Sequence, residues 1–178
     1  DAVSAREAPV LRIIGGTMRG RKLLYSGDLR TRPMKDRVRE AVFNLIGAET
    51  AGKHAIDLFA GTGALGLEAI SRGATSATFV EQHYPTAAVI RQNAGVLGVT
   101  DRIDVISGNT FIWVQRDEAP KTAPWLVFCS PPYAFYVERK AEIVAMLQTL
   151  LTQAPQGSTF VVESDERFDR AALPHAAL

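Results

Sequence analysis

The sequence predicts an α/β fold in which a doubly wound, mostly parallel sheet follows an N-terminal β-hairpin and helix. Three observations predict it. From residue 54 onward, five apolar runs of strand length alternate with helix-period patterns; the first run ends in a glycine turn that opens a helix; and the stretch before residue 54 has a basic, turn-rich rhythm of its own. A chain of 178 residues with 47% hydrophobic content can bury one good core, and nothing in its length demands a second full domain. We therefore divide it into an extension, residues 1–53, and a sheet-forming domain, residues 54–178.

The elements follow in order. Arg12-Ile13-Ile14 and Arg21-Lys22-Leu23-Leu24-Tyr25 flank Gly15-Gly16-Thr17-Met18-Arg19-Gly20, which reads as two short strands around a glycine-rich turn. Thr31-Arg32-Pro33 breaks regular structure, and residues 36 to 46 place Val38, Val42, Leu45 and Ile46 on one helix face that Gly47 can terminate. Strand runs are expected at 55–59, 77–80, 103–106, 125–129 and 159–162. Helices are expected at 64–71, closed by Gly73, at 85–97, closed by Gly98, and at 137–151 as one long amphipathic element. Such alternation implies parallel pairing with right-handed crossovers, which puts ligands at the carboxyl ends of the strands.

Composition narrows the function. No uninterrupted apolar run of about 18 residues occurs, and the first residues lack the basic-then-apolar layout of a signal peptide, so a soluble, cytoplasmic protein without a membrane partner is expected. Cys129 is the single cysteine, and His54, His83 and His175 show no ligand spacing, so no metal is expected. The net charge of +1 conceals an asymmetry: residues 10–39 hold nine Arg or Lys against Asp28 and Asp36, a local +7 that leaves −6 for the rest. A basic block beside an acidic body suits a polyanion, with Arg12, Arg19, Arg21, Lys22, Arg32 and Arg37 as candidate contacts; the alternative is a solvated basic face.

The first strand runs into Asp57-Leu-Phe-Ala-Gly61-Thr-Gly63-Ala-Leu-Gly66. Gly61, Thr62 and Gly63 form a turn that lets a ligand approach the backbone, and Gly66 lets the helix pack near the sheet. The glycine spacing alone also fits a dinucleotide fingerprint. Asp57 separates the two readings, because a carboxylate facing the loop suits the ammonium of a methionine moiety and repels a pyrophosphate. Glu81 closes the second strand, where an acid can accept both hydroxyls of a ribose, with Gln82 beside it. Asn109 either bonds an adenine edge or caps a helix; Thr110 follows it, Phe111 or Ile112 could cover the ring, and Phe59 completes the candidate pocket.

The fourth strand delivers Ser130-Pro131-Pro132-Tyr133 to the same sheet edge. Two prolines make a rigid turn with carbonyls free of strand pairing, able to accept a hydrogen bond from an amine. An exocyclic base amine has its lone pair delocalised into the ring, so catalysis must hold the nitrogen in line with the methyl donor and favour charge developing on it. Tyr133 would stack on the base, with Phe135 or Tyr136 helping; the alternative is a structural turn with a packed aromatic.

On these residues the chain resembles the bacterial RsmD family, which methylates the guanine N2 of one nucleotide in small-subunit (16S) ribosomal RNA. Arg12-Ile-Ile-Gly-Gly with Arg19-Gly-Arg-Lys-Leu, Thr31-Arg-Pro, Asp36-Arg-Val-Arg-Glu-Ala-Val-Phe-Asn and the loop from Asp57 to Glu68 carry the resemblance over nearly the whole chain. It implies a Rossmann-like class I methyltransferase fold, S-adenosylmethionine as cofactor, ribosomal RNA or a small-subunit assembly intermediate as partner, and a monomer. Three departures stand out. Ser130 replaces the family's usual Asp or Asn, which shifts the acceptor role toward the Pro131 carbonyl. Met34 replaces a Thr, and the family's closing hairpin is missing after residue 178, so a C-terminal truncation is expected.

Other readings remain at this level. Cys129 invites covalent attack on a pyrimidine, although it ends an apolar strand. An NAD-dependent oxidoreductase explains the glycines and Glu81 but neither Asp57 nor Ser130 to Tyr133. An adenine-N6 methyltransferase acting on DNA or RNA would use the same proline turn, and a non-catalytic RNA-binding module could keep the fold.

Overall fold

The computed structural model describes residues 10–25, 27, 33–164 and 169–173. Thr31, Arg32 and His175 lie outside them. Strand β1 (Leu11–Arg12) pairs antiparallel with β2 (Lys22–Leu23), so the expected hairpin is present with short strands. Helix α1 (Asp36–Ile46) ends where Gly47, at φ 58°, donates its N–H to the Phe43 carbonyl.

The face that α1 buries is only partly the expected one. Val42 and Ile46 pack half-buried against the core, but Arg39 and Phe43 are its buried residues, whereas Val38 is 38% exposed and Leu45 91% exposed. Apolar spacing alone rotated the face because an arginine is the residue at its centre.

Five strands then form one sheet: β3 (His54–Asp57), β4 (Ser76–Glu81), β5 (Ile103–Ser107), β6 (Trp125–Cys129) and β7 (Thr159–Val162), in the order β5-β4-β3-β6-β7. Every pairing in it is parallel. The chain moves outward from β3 through β4 to β5, then returns to the other side of β3, so the switch point lies between β3 and β6, where ligand crevices form in doubly wound sheets. Helices α2 (Ala64–Ser71) and α3 (Tyr84–Leu97) cover one face. The opposite face carries α4 (Thr110–Gln115), α5 (Phe135–Glu138) and α6 (Lys140–Gln153). The expected single helix at 137–151 is thus two elements, broken at Arg139 (φ −132°, ψ 29°), and α4 is one that its short apolar run concealed.

The extension shares the sheet's core. Leu11, Ile13, Leu23 and Phe43 pack into one buried cluster with Leu67, Ile70, Phe79 and Phe128. Polar bonds hold the hairpin to α2 as firmly. The Glu68 carboxylate, fully buried, accepts from the Ile14 and Gly15 N–H groups at 2.8 and 2.9 Å, from Arg39 at 3.2 Å and from Arg72 at 2.9 Å. A buried carboxylate is tolerable only when paired and hydrogen-bonded in this way. Asn93 of α3 adds two bonds to the Leu24 backbone. Gly16, at φ 81°, lies so close to α2 that a Cβ there would sit 2.0 Å from the Ser71 carbonyl oxygen.

Candidate active site

The loop after β3 is shaped by its neighbours on β4. Ala60 N–H bonds the Val80 carbonyl at 3.0 Å, and Gly61 N–H bonds Glu81 Oε1 at 3.0 Å. Glu81 Oε2 takes the His83 N–H at 2.8 Å. Each carboxylate oxygen keeps a lone pair for one more donor, the pattern that two ribose hydroxyls require. Gly61 and Gly63 adopt φ of 55° and 79°, and a Cβ on Gly66 would meet Phe79 at 2.3 Å, so α2 packs against β4 only without a side chain there.

Asp57 ends β3 beneath this loop, 1% exposed, its Oδ2 accepting the Gly66 N–H at 3.3 Å. Burial pushes its carboxyl up to about 8; the Gly66 bond opposes the rise and the charge of Glu81 adds to it. Two carboxylates flanking a backbone turn form a site for a cationic nucleoside. The donor set therefore fits S-adenosylmethionine: Asp57 would hold its ammonium and Glu81 its ribose.

The remaining candidates divide. Phe59 is half-buried and stands edge-on to Phe111 and Phe135, each ring centroid 6.0 Å away. Thr62 is buried, its hydroxyl accepting the Ala64 N–H at 3.3 Å within the turn that enters α2; Gln82 is exposed. Asn109 realises its helix-cap alternative, Oδ1 taking the Ile112 N–H at 3.1 Å. Thr110 is buried and donates its hydroxyl to the Leu58 carbonyl, so it braces the loop from behind. Phe111 remains half-buried at the rim and Ile112 is exposed.

Across the switch point, β6 leads into Ser130 to Tyr133. The Pro132 carbonyl takes the Phe135 N–H at 2.9 Å and the Tyr133 carbonyl takes the Tyr136 N–H at 3.1 Å. Among the described residues no backbone N–H bonds the carbonyls of Ser130 or Pro131, which leaves these two as the acceptors of the turn. Tyr133 is 46% exposed, as a stacking platform requires, and its phenol donates to Glu163 at 2.8 Å. Tyr136, also named as a possible stacking ring, is 2% exposed with its hydroxyl bonded to the Glu163 carbonyl, so it anchors the turn. Cys129 is fully buried, and burial pushes its thiol up to about 12, which removes it as a nucleophile.

Two residues of this neighbourhood escaped sequence reasoning. Glu163 follows the last strand without any motif. Arg139 sits at the helix break with its guanidinium 4.8 Å from the Phe135 centroid and 5.9 Å from that of Phe111. An arginine four residues after an aromatic was the available signal.

The basic candidates lie elsewhere. Arg19, Lys22 and Arg37 are exposed, Arg12 pairs with Asp36 at 3.0 Å, and Arg21 bonds the Val96 carbonyl at 2.9 Å. Arg39, part of the same positive run, is spent internally on Glu68. The hairpin touches Ser71 and Val96, near the C-terminal ends of α2 and α3. Those helices run antiparallel to their strands, so this contact lies at the sheet edge opposite Ser130 to Tyr133.

A positively charged nucleoside fits between Asp57 and Glu81 where a pyrophosphate would be repelled, and on this sheet that choice separates class I S-adenosylmethionine-dependent methyltransferases from dinucleotide enzymes. The chain falls in the former class. It belongs to the RsmD family: the family model described as Conserved hypothetical protein 95 matches residues 11–175. It is 37% identical to ribosomal RNA small subunit methyltransferase D of Escherichia coli over 69% of this chain and 60% of that one. It is 31% identical to YlbH of Bacillus subtilis over 88% of this chain and 83% of that protein. The solved structure of yhhF from Escherichia coli superimposes with a TM-score of 0.67 at 31% identity, covering 88% of this chain and 78% of that one. Among the described residues no helix is long and apolar enough to cross a membrane.

Proposed function

We propose that the chain transfers a methyl group from S-adenosylmethionine to the exocyclic N2 amine of a guanine in small-subunit (16S) ribosomal RNA. The observation that carries this reading is the meeting of the Asp57–Glu81 loop and the Ser130-Pro-Pro-Tyr133 turn on either side of one switch point. The cofactor, when bound, supplies a methyl on a sulfonium whose departure leaves a neutral thioether. The chain's own residues do the rest. Asp57 and Glu81 orient the donor, Tyr133 stacks the base, and the Ser130 hydroxyl with the Ser130 and Pro131 carbonyls accepts hydrogen bonds from the amine. As the new N–C bond forms, the nitrogen sheds its proton to solvent.

The name of the Escherichia coli relative and the cationic hairpin support ribosomal RNA. The hairpin stands at the opposite sheet edge, roughly 20 Å from the turn for strands of up to six residues at about 3.3 Å each. An RNA that contacts both spans that distance, as a small-subunit assembly intermediate can, and the chain acts on it as a cytoplasmic monomer. Residues 1–53 serve as the RNA-binding extension of the 54–178 methyltransferase domain, with Arg19, Lys22 and Arg37 as exposed contacts. Incubation with small-subunit particles and labelled S-adenosylmethionine, followed by mass-spectrometric mapping, should yield N2-methylguanine. N6-methyladenine, or no added methyl despite bound cofactor, would overturn the proposal.

A further inference from the structure

We propose that Glu163 is a positioning residue for methyl transfer, fixing the Tyr133 ring and the turn that carries it; the inference rests on the reading of that turn given above. Glu163 follows β7 by one residue, and the register pairing Cys129 with Val162 sets it beside Ser130. It holds the reaction segment at three points. Its N–H donates to the Cys129 carbonyl at 2.9 Å, before the turn. Its carboxylate Oε1 accepts the Tyr133 phenol at 2.8 Å, within the turn. Its carbonyl accepts the Tyr136 hydroxyl, after the turn.

The side-chain contact is the one that bears on the reaction. Tyr133 is 46% exposed, and a base stacked on it must be held to within a fraction of an ångström for in-line attack. A phenol bonded to a carboxylate makes a charge-assisted bond, stronger than one between neutral groups, and anchors the ring at its outer tip. The two backbone bonds do not depend on the side chain, so Glu163→Ala keeps the strand pairing and removes only this anchor.

The test compares the full chain with Glu163→Ala, Glu163→Gln, Tyr133→Phe and the double variant Glu163→Ala/Tyr133→Phe. Three quantities are measured: S-adenosylmethionine affinity by calorimetry, kcat on small-subunit particles, and hydrogen exchange of the amides of residues 133–136. Glu163→Ala should lower kcat about tenfold, the factor carried by about 1.4 kcal/mol of transition-state stabilisation, with cofactor affinity unchanged and exchange at 133–136 about tenfold faster. Glu163→Gln should recover most of both, because its amide oxygen accepts the same phenol. The double variant should be no slower than Tyr133→Phe. Parental exchange and kcat in Glu163→Ala, or losses that multiply in the double variant, would overturn the proposal. A parent chain that binds cofactor and methylates nothing would instead overturn the methyl-transfer reading, while the exchange comparison would still decide whether Glu163 holds the turn.

Discussion

Replacing Asp57 with asparagine should stabilise the cofactor-free protein increasingly as pH rises, while weakening its hold on the cofactor. Desolvation lifts the Asp57 carboxyl from 3.8 to about 8; the Gly66 N–H opposes the shift and Glu81 adds to it. A carboxyl raised on folding takes up a proton as the chain folds. Its contribution is therefore fully present below about pH 4 and is lost as pH climbs to about 8. Each pH unit in that window costs the parent about 1.4 kcal/mol, so the carboxyl is several kcal/mol unfavourable by about pH 7.5. Asparagine does not titrate, but it buries amide hydrogens at a cost of roughly 1–3 kcal/mol. The net gain near neutrality is about 2 kcal/mol, or roughly 4–8 °C in Tm for a chain of this size. Urea unfolding of both proteins from pH 5 to 9 checks it: the difference should widen up to about pH 8 and then level off. A difference independent of pH would refute the claim that burial of this acid is what costs stability. Calorimetry on the same samples should show cofactor affinity reduced at least tenfold, because a bound ammonium draws the proton off the parent carboxyl and pairs with its charge, which the amide cannot supply.

Gly16→Ala should undock the hairpin, since its Cβ would fall 2.0 Å from the Ser71 carbonyl oxygen at a φ of 81°. A loss of roughly 2–3 kcal/mol in thermal unfolding, with RNA binding weakened more than cofactor binding, is the expected result. Ser130→Asn should preserve or raise methyl transfer by supplying a longer acceptor beside the Pro131 carbonyl; a complete loss of activity would show that the hydroxyl has a role of its own.

Much of the fold was legible because its signals are local. The runs at 125–129 and 159–162 coincide with β6 and β7, and α2 and α1 begin and end as their glycine and apolar spacing indicates. Asp57, Glu81 and the proline turn were legible because each ends a strand, and parallel order brings strand ends together. What stayed hidden depends on contacts between distant segments. The buried face of α1 is set by Arg39 reaching Glu68, 29 residues away, which no window of apolar spacing detects. Thr110 reads as a loop residue until its hydroxyl is found on the Leu58 carbonyl. Glu163 is one acid in an acidic stretch until Tyr133 is seen to point at it.

The buried Glu68 cluster bears on how such enzymes can change their targets. A hairpin that donates Ile14 and Gly15 N–H groups to a carboxylate inside the catalytic core cannot be exchanged as a cassette. Removing it would leave Glu68 facing Arg39 and Arg72 with two donors missing, and would take Leu11, Ile13 and Leu23 out of the core they share with the sheet. A graft of another recognition head onto this core would have to redesign Glu68, Ser71 and Asn93 at the same time. On the proposed reading of the hairpin as the RNA-binding element, target choice is inherited together with the interior of the protein, and drift on the hairpin's outer face is the easier route to a new substrate.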